Sequence, residues 1–239
     1  MIERNRFVLS LAAMLASAPL IVPAQARQEQ QTPPAVQIPQ PGVKQIMTLE
    51  GAYVRAAYNN EGYVVLGYRT ANASVGQDWL LLEIGATLRS GRKTYELTRE
   101  AITLDAPGNE AIRMATIEEF RTANLTALKQ RNSIMRDSIN YFPPEASRAC
   151  RIGFFSELGA PAMPWNQVEL SPTRACVGQL FFKVPGGIAH GQHWLNVKFA
   201  GSLLRVPFRI LTKEEDKLLS KNYSNIKKQV DEAFRTKSR

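Results

Sequence analysis

Histidine and cysteine are scarce: the 239 residues hold two of each, His190 and His193, Cys150 and Cys176. With both histidines at 190 and 193, no further histidine is left elsewhere in the chain, which removes His-based general acid–base chemistry from most of the surface. There is no H-E-x-x-H helix, no P-loop, no G-x-G-x-x-G after a strand and no G-x-S-x-G elbow. No apolar run beyond residue 22 is long enough to span a bilayer. Acids are outnumbered by bases, 21 against 30, for a formal charge of +9. Such a balance suits contact with anionic envelope material, yet the Lys and Arg are scattered as on an ordinary solvated surface. No cofactor, catalytic set or metal site is implied.

What the chain does have begins with a leader pattern. Arg4 and Arg6 precede an apolar run over 7–22, interrupted only by Ser10, Ser17 and Pro19, and Ala24-Gln25-Ala26 offers a small-x-small cleavage site. Residues 1–26 therefore read as a cleavable signal peptide, and the mature chain as periplasmic or extracellular. The run is shorter than the ~20 residues of a spanning helix, and Pro19 would break it. Cleavage removes Arg4, Arg6 and Glu3, a net of one positive charge, and leaves +8 of the original +9. Residues 27–42, crowded with Gln and Pro, have little to bury and read as a disordered linker.

From residue 43 the pattern is that of strands. The segments 51–58, 63–70, 79–88, 94–97 and 101–104 are rich in β-branched and aromatic residues and are separated by turn residues. Strand signals resume at 151–155, 167–170, 175–184, 193–199 and 203–211. Between the two series, Thr116 and Glu119 form a T-x-x-E capping box, and Ile117, Phe120, Leu128, Met135 and Ile139 recur at roughly helical spacing. One helix, or two short ones, is expected over 117–140, stopped by Pro143-Pro144. A second box, Thr212 with Glu215, opens a basic amphipathic helix over 212–239, whose stripe Leu219, Tyr223, Ile226, Val230 and Phe234 either packs on the domain or docks on a partner or an anionic membrane surface. The fold class is mainly β: an immunoglobulin-like antiparallel β-sandwich over 43–211, with a helical insertion and a C-terminal helix.

In an oxidising compartment the simplest state of Cys150 and Cys176 is a disulfide, worth ~3.5 kcal/mol in the chain-entropy model; two structural thiols are the alternative. His190 and His193 read as a solvent-facing hairpin loop, and no third metal ligand is identifiable beside them. The acids Asp105, Glu118-Glu119 and Glu214-Glu215-Asp216 mostly coincide with helix starts, where they complement the dipole. Most of the aromatics belong to strands and hence to the core. Trp165, between Pro164 and Asn166, is the best candidate for an exposed ring. Trp165, His190 and His193 are the candidate ligand contacts.

Five segments, REAITLDAPG (99–108), TIEEF (116–120), CRIGFF (150–155), GQLFFKVP (178–185) and VPFRI (206–210), resemble uncharacterised exported bacterial proteins with an immunoglobulin-like sandwich. The likeness covers about residues 50–211. It implies fold and compartment and carries over no functional residue. The expected function is that of an exported, noncatalytic module binding protein or envelope material through loops or an edge strand, with no nucleic-acid partner. The alternatives are an enzyme or accessory domain acting on cell-wall or polysaccharide substrates, and an envelope-associated structural protein docked through its terminal helix.

Overall fold

The structure is a computed structural model that describes residues 45–156 and 163–237; the expected signal peptide and linker lie outside the described residues. In chain order the elements are β1 (Ile46–Gly51), β2 (Val54–Tyr58), β3 (Gly62–Gly67), α1 (Arg69–Asn72), β4 (Trp79–Leu88), β5 (Tyr95–Thr98), β6 (Ile102–Ala106) and β7 (Asn109–Arg113). Next come α2 (Ile117–Thr122), α3 (Thr126–Ile134), β8 (Arg148–Ile152), β9 (Gln167–Leu170), β10 (Arg174–Lys183), β11 (Gly191–Lys198), β12 (Leu203–Ile210) and α4 (Lys213–Lys237). The chain is mainly β. A six-stranded sheet runs β1-β2-β3-β4-β10-β8, a four-stranded sheet runs β12-β11-β6-β7, and β5 pairs with β9.

Hairpin chemistry fixes the registers. The Asn59 side chain accepts the N–H groups of Glu61 and Gly62 at 2.8 and 2.9 Å, closing the β2–β3 turn, and Gly108 supplies a φ of 75° in the β6–β7 turn. The turns of the two sheets are also tied to each other: Asn59 Nδ2 donates to Ser202 Oγ at 2.9 Å, and the Gly201 N–H donates to the Glu61 carboxylate at 3.1 Å.

Alternation along the strands then builds the core. Leu80, Leu82 and Ile84 of β4 pair across the strands with Phe182, Leu180 and Gly178 of β10. They join Leu195 and Val197 of β11 and Leu204, Val206 and Phe208 of β12 in one buried cluster shared by both sheets. The opposite face of the six-stranded sheet is covered in turn. Phe120 of α2 and Phe155 close around Phe181, with ring centroids 4.7 and 5.0 Å from it.

Three expectations are corrected. The strands are not all antiparallel: β8 runs parallel to β10, with Cys150 directly opposite Cys176. The excursion between them, which includes β9, is long enough to bring the chain back in the same direction. The helical segment stops at Ile134, and 135–147 is an irregular strap. Ile139 is buried in the strap with Val54, Ala56 and Val65, and Phe142 lies over Gly85, where a Cβ would come within 2.6 Å of its ring. Docking onto the sheet therefore overrides the helical spacing, and the Pro pair ends any continuation. Finally, β1 and β7 add strands that the sequence pattern does not announce.

The two cysteines form a disulfide. Among the described residues no helix is long and apolar enough to cross a membrane. The α4 helix is held at its start by the Thr212–Glu215 capping box, with bonds of 2.9 and 3.2 Å. The Leu211 N–H donates to Asn72 Oδ1 at 2.6 Å, and the Tyr53 hydroxyl donates to Asp216. Further along, Lys227 donates to the Leu49 carbonyl. Leu219, Tyr223, Ile226 and Val230 are accordingly half-buried. This stretch of the apolar stripe packs on the domain.

Candidate functional site

The strand β7 starts as the edge of the four-stranded sheet and leads straight to the other sheet. Past Arg113, Met114 bridges Phe182 and the Ala115 N–H donates to the Phe181 carbonyl at 2.9 Å. At the other end of β7, Asn109 Nδ2 reaches the Pro185 carbonyl at 3.4 Å. Between these two tethers the sheets part, and a cleft of about 570 Å3 opens, lined by Asp78, Glu110, Ile112, Arg113, Glu119 and Lys183 among others.

The edge is deliberately irregular. Ala111 sits at φ 52°, inside a register shift between β6 and β7. Its N–H is taken by Asp105 Oδ1 at 2.9 Å, while Asp105 Oδ2 holds Arg205 at 2.7 Å. Asp105 of β6 therefore supports a bulge on β7, not a helix start. A bulge of this kind twists an edge away from strand addition, so recognition in the cleft falls to side chains.

Those side chains divide into paired and unpaired charges. Arg113 and Glu119 form a two-pronged pair at 2.9 and 3.0 Å, and Glu119 also accepts the Thr116 N–H at 2.7 Å. Arg113 and then Thr116 hold the Glu119 carboxyl down at about 2, which makes it a fixed charge and not a proton donor near neutrality. Asp78, Glu110 and Lys183 make no ion pair with any described residue. With Ile112 as an apolar wall, the cleft presents isolated charges of both signs.

The residues singled out in the sequence are scattered. Trp165 is 48% exposed; its ring rests on Gly153, whose carbonyl accepts the Trp165 N–H at 2.7 Å. His190 is exposed, whereas His193 is completely buried on β11, so the pair does not form a solvent-facing loop. His193 Nδ1 lies 3.0 Å from the Gly191 carbonyl, and its ring stacks on Phe208 at 5.2 Å. Burial holds its pKa below the ordinary imidazole range, and the two rings share no ligand. No group of three or more His, Cys, Asp or Glu able to hold a metal occurs among the described residues. Trp194 lies under the Arg205 guanidinium at 4.9 Å, outside the cleft lining. Arg113, Lys183 and Glu110 escaped the sequence reading because an edge-strand charge looks like any surface charge until the topology shows what it faces. No family model, curated protein or solved structure matches the chain.

Proposed function

We propose that the chain is an exported, noncatalytic binding module of immunoglobulin-like sandwich type, which receives a short charged segment of a protein or envelope partner in the cleft beside β7. The observation that carries this reading is a cleft in which Lys183 and Glu110 stand without counter-charges beside apolar Ile112. A partner bearing both signs would supply them. The leader pattern of residues 1–26 and the disulfide support the compartment.

The test is capture from an envelope extract under nonreducing conditions by residues 27–239, compared with Lys183→Glu and Glu110→Lys. Reversal of either charge should reduce capture about tenfold, the scale of one lost charge contact plus a new repulsion. Equal capture by all three proteins would move the site elsewhere.

A second reading, attachment through the terminal helix, is favoured by one observation. Lys213, Lys217, Lys221 and Lys228 all point outward from α4 while its apolar stripe is engaged by the domain. Capture that disappears on deletion of 212–239, but survives both charge reversals, would select it. An enzyme or accessory domain acting on cell-wall or polysaccharide substrates would be favoured by Trp165 or Trp194 beside two converging carboxylates; neither ring lines this cleft.

A further inference from the structure

Among the described residues the most buried acid, Glu83, lies outside the cleft lining. Glu83 interrupts the apolar run of β4, and its side chain is 5% exposed. It faces the same side of the six-stranded sheet as Gly85, beneath the 135–147 strap. On β3 its neighbour is Gly67, which bears no charge. On β10 its neighbour is Gln179, whose Oε1 is buried and accepts no hydrogen bond from a described residue.

The strap supplies the facing charges. Arg136 Nε lies 2.7 Å from Glu83 Oε1, and the Arg136 side chain is itself 55% exposed. The Asp137 carboxylate, the next charge along the strap, is held by Arg69 of α1 at 2.9 Å. Arg151, opposite Val177 on β8, brings the next guanidinium on this face.

From 136 to 142 the strap makes no main-chain to main-chain hydrogen bond with a described residue; side chains alone hold it, Ile139 and Phe142 by packing on the sheet and Arg136 and Asp137 by their ion pairs with Glu83 and Arg69. A segment so held has a low local opening free energy.

We propose that Glu83 is a proton-operated latch for the strap: protonated, it donates to Gln179 Oε1 and the strap lies closed; ionised, it is a buried charge that the half-exposed Arg136 only partly offsets, and the strap lifts. Cross-strand neighbours have Cβ atoms about 5 Å apart, which puts the two side chains within hydrogen-bonding reach. Burial pushes the Glu83 carboxyl up to about 7, against the opposing pull of Arg136, with the Asp137 carboxylate adding to the rise. A strap that binds this proton more tightly when closed than when open must loosen as pH rises through neutrality. The module would then show one surface in acid and another in mild alkali.

Methyl NMR on isoleucine- and valine-labelled protein tests this at pH 5.5 and 8.5. Nuclear Overhauser contacts from Ile139 to Val54 and Val65 should be present at the lower pH and lost at the higher. In Glu83→Gln, an uncharged isostere that can still donate to Gln179, they should persist at both. Arg136→Gln alters a partly exposed side chain and leaves the core intact. It should keep the contacts at pH 5.5 and lose them at a lower pH than the parent does. Contacts unchanged in the parent while the Glu83 carboxyl titrates, a pH response retained by Glu83→Gln, or an equal loosening of Arg136→Gln at both pH values would each overturn the proposal.

Discussion

A Cβ added at Gly178 would stand 2.2 Å from the carbonyl oxygen of Ile152, a main-chain atom of β8 that cannot step aside. At Gly85 the obstacle is the Phe142 ring edge at 2.6 Å, carried by the strap, which can move. Gly178→Ala should therefore lower stability by about 3 kcal/mol and Gly85→Ala by about 1 kcal/mol, the upper and lower ends of overpacking effects. Urea unfolding midpoints at unchanged slope would measure both; a larger loss at Gly85 would contradict this ranking. At this scale the sequence was partly legible. A lone Glu within an otherwise apolar β4 run is a visible oddity. The burial of His193 was hidden because its neighbours Gly191 and Gln192 read as a turn, although β11 already begins there.

Among the elements, the two capping boxes were legible because they are local: both bonds of each box form within three residues of sequence. Thr116→Ala should cost about 1 kcal/mol, the usual worth of an N-cap, and should also loosen the Glu119 carboxylate that Arg113 grips. Thermal unfolding reads the first effect. A carboxyl titration by NMR reads the second as a rise of the Glu119 pKa from about 2, and no rise would show that Arg113 alone fixes it. The strap was illegible for the opposite reason. Leu128, Met135 and Ile139 repeat at helical intervals, but Met135 is 39% exposed, and what organises Ile139 is a sheet more than 70 residues earlier in the chain. The parallel β8–β10 pair likewise depends on a strand 26 residues further along the chain.

For the whole molecule, composition and strand cadence led to a mainly β chain, while the division into sheets of six and four strands and the cleft between them emerged only from the topology. The pH dependence of global stability also belongs here. Because the folded Glu83 pKa is raised from 4.5 to about 7, its contribution is fully present below 4.5 and is lost as pH rises through 7. His193, held below its ordinary value, acts in the other direction: its contribution is present above about 6.5 and is lost as pH falls. Glu83→Gln should therefore gain on the parent by about 2 kcal/mol between pH 5 and 8.5. Urea unfolding at the two pH values measures this, and parallel behaviour of the two proteins would refute it. The Cys150–Cys176 bridge encloses the segment that carries Met163, 84% exposed, and the half-exposed Trp165, side chains within reach of a protease. A chain nicked there remains one covalent molecule of unchanged mass on a nonreducing gel and comes apart into two pieces only in reductant, so damage to this face would pass unseen by any assay that leaves the bridge intact.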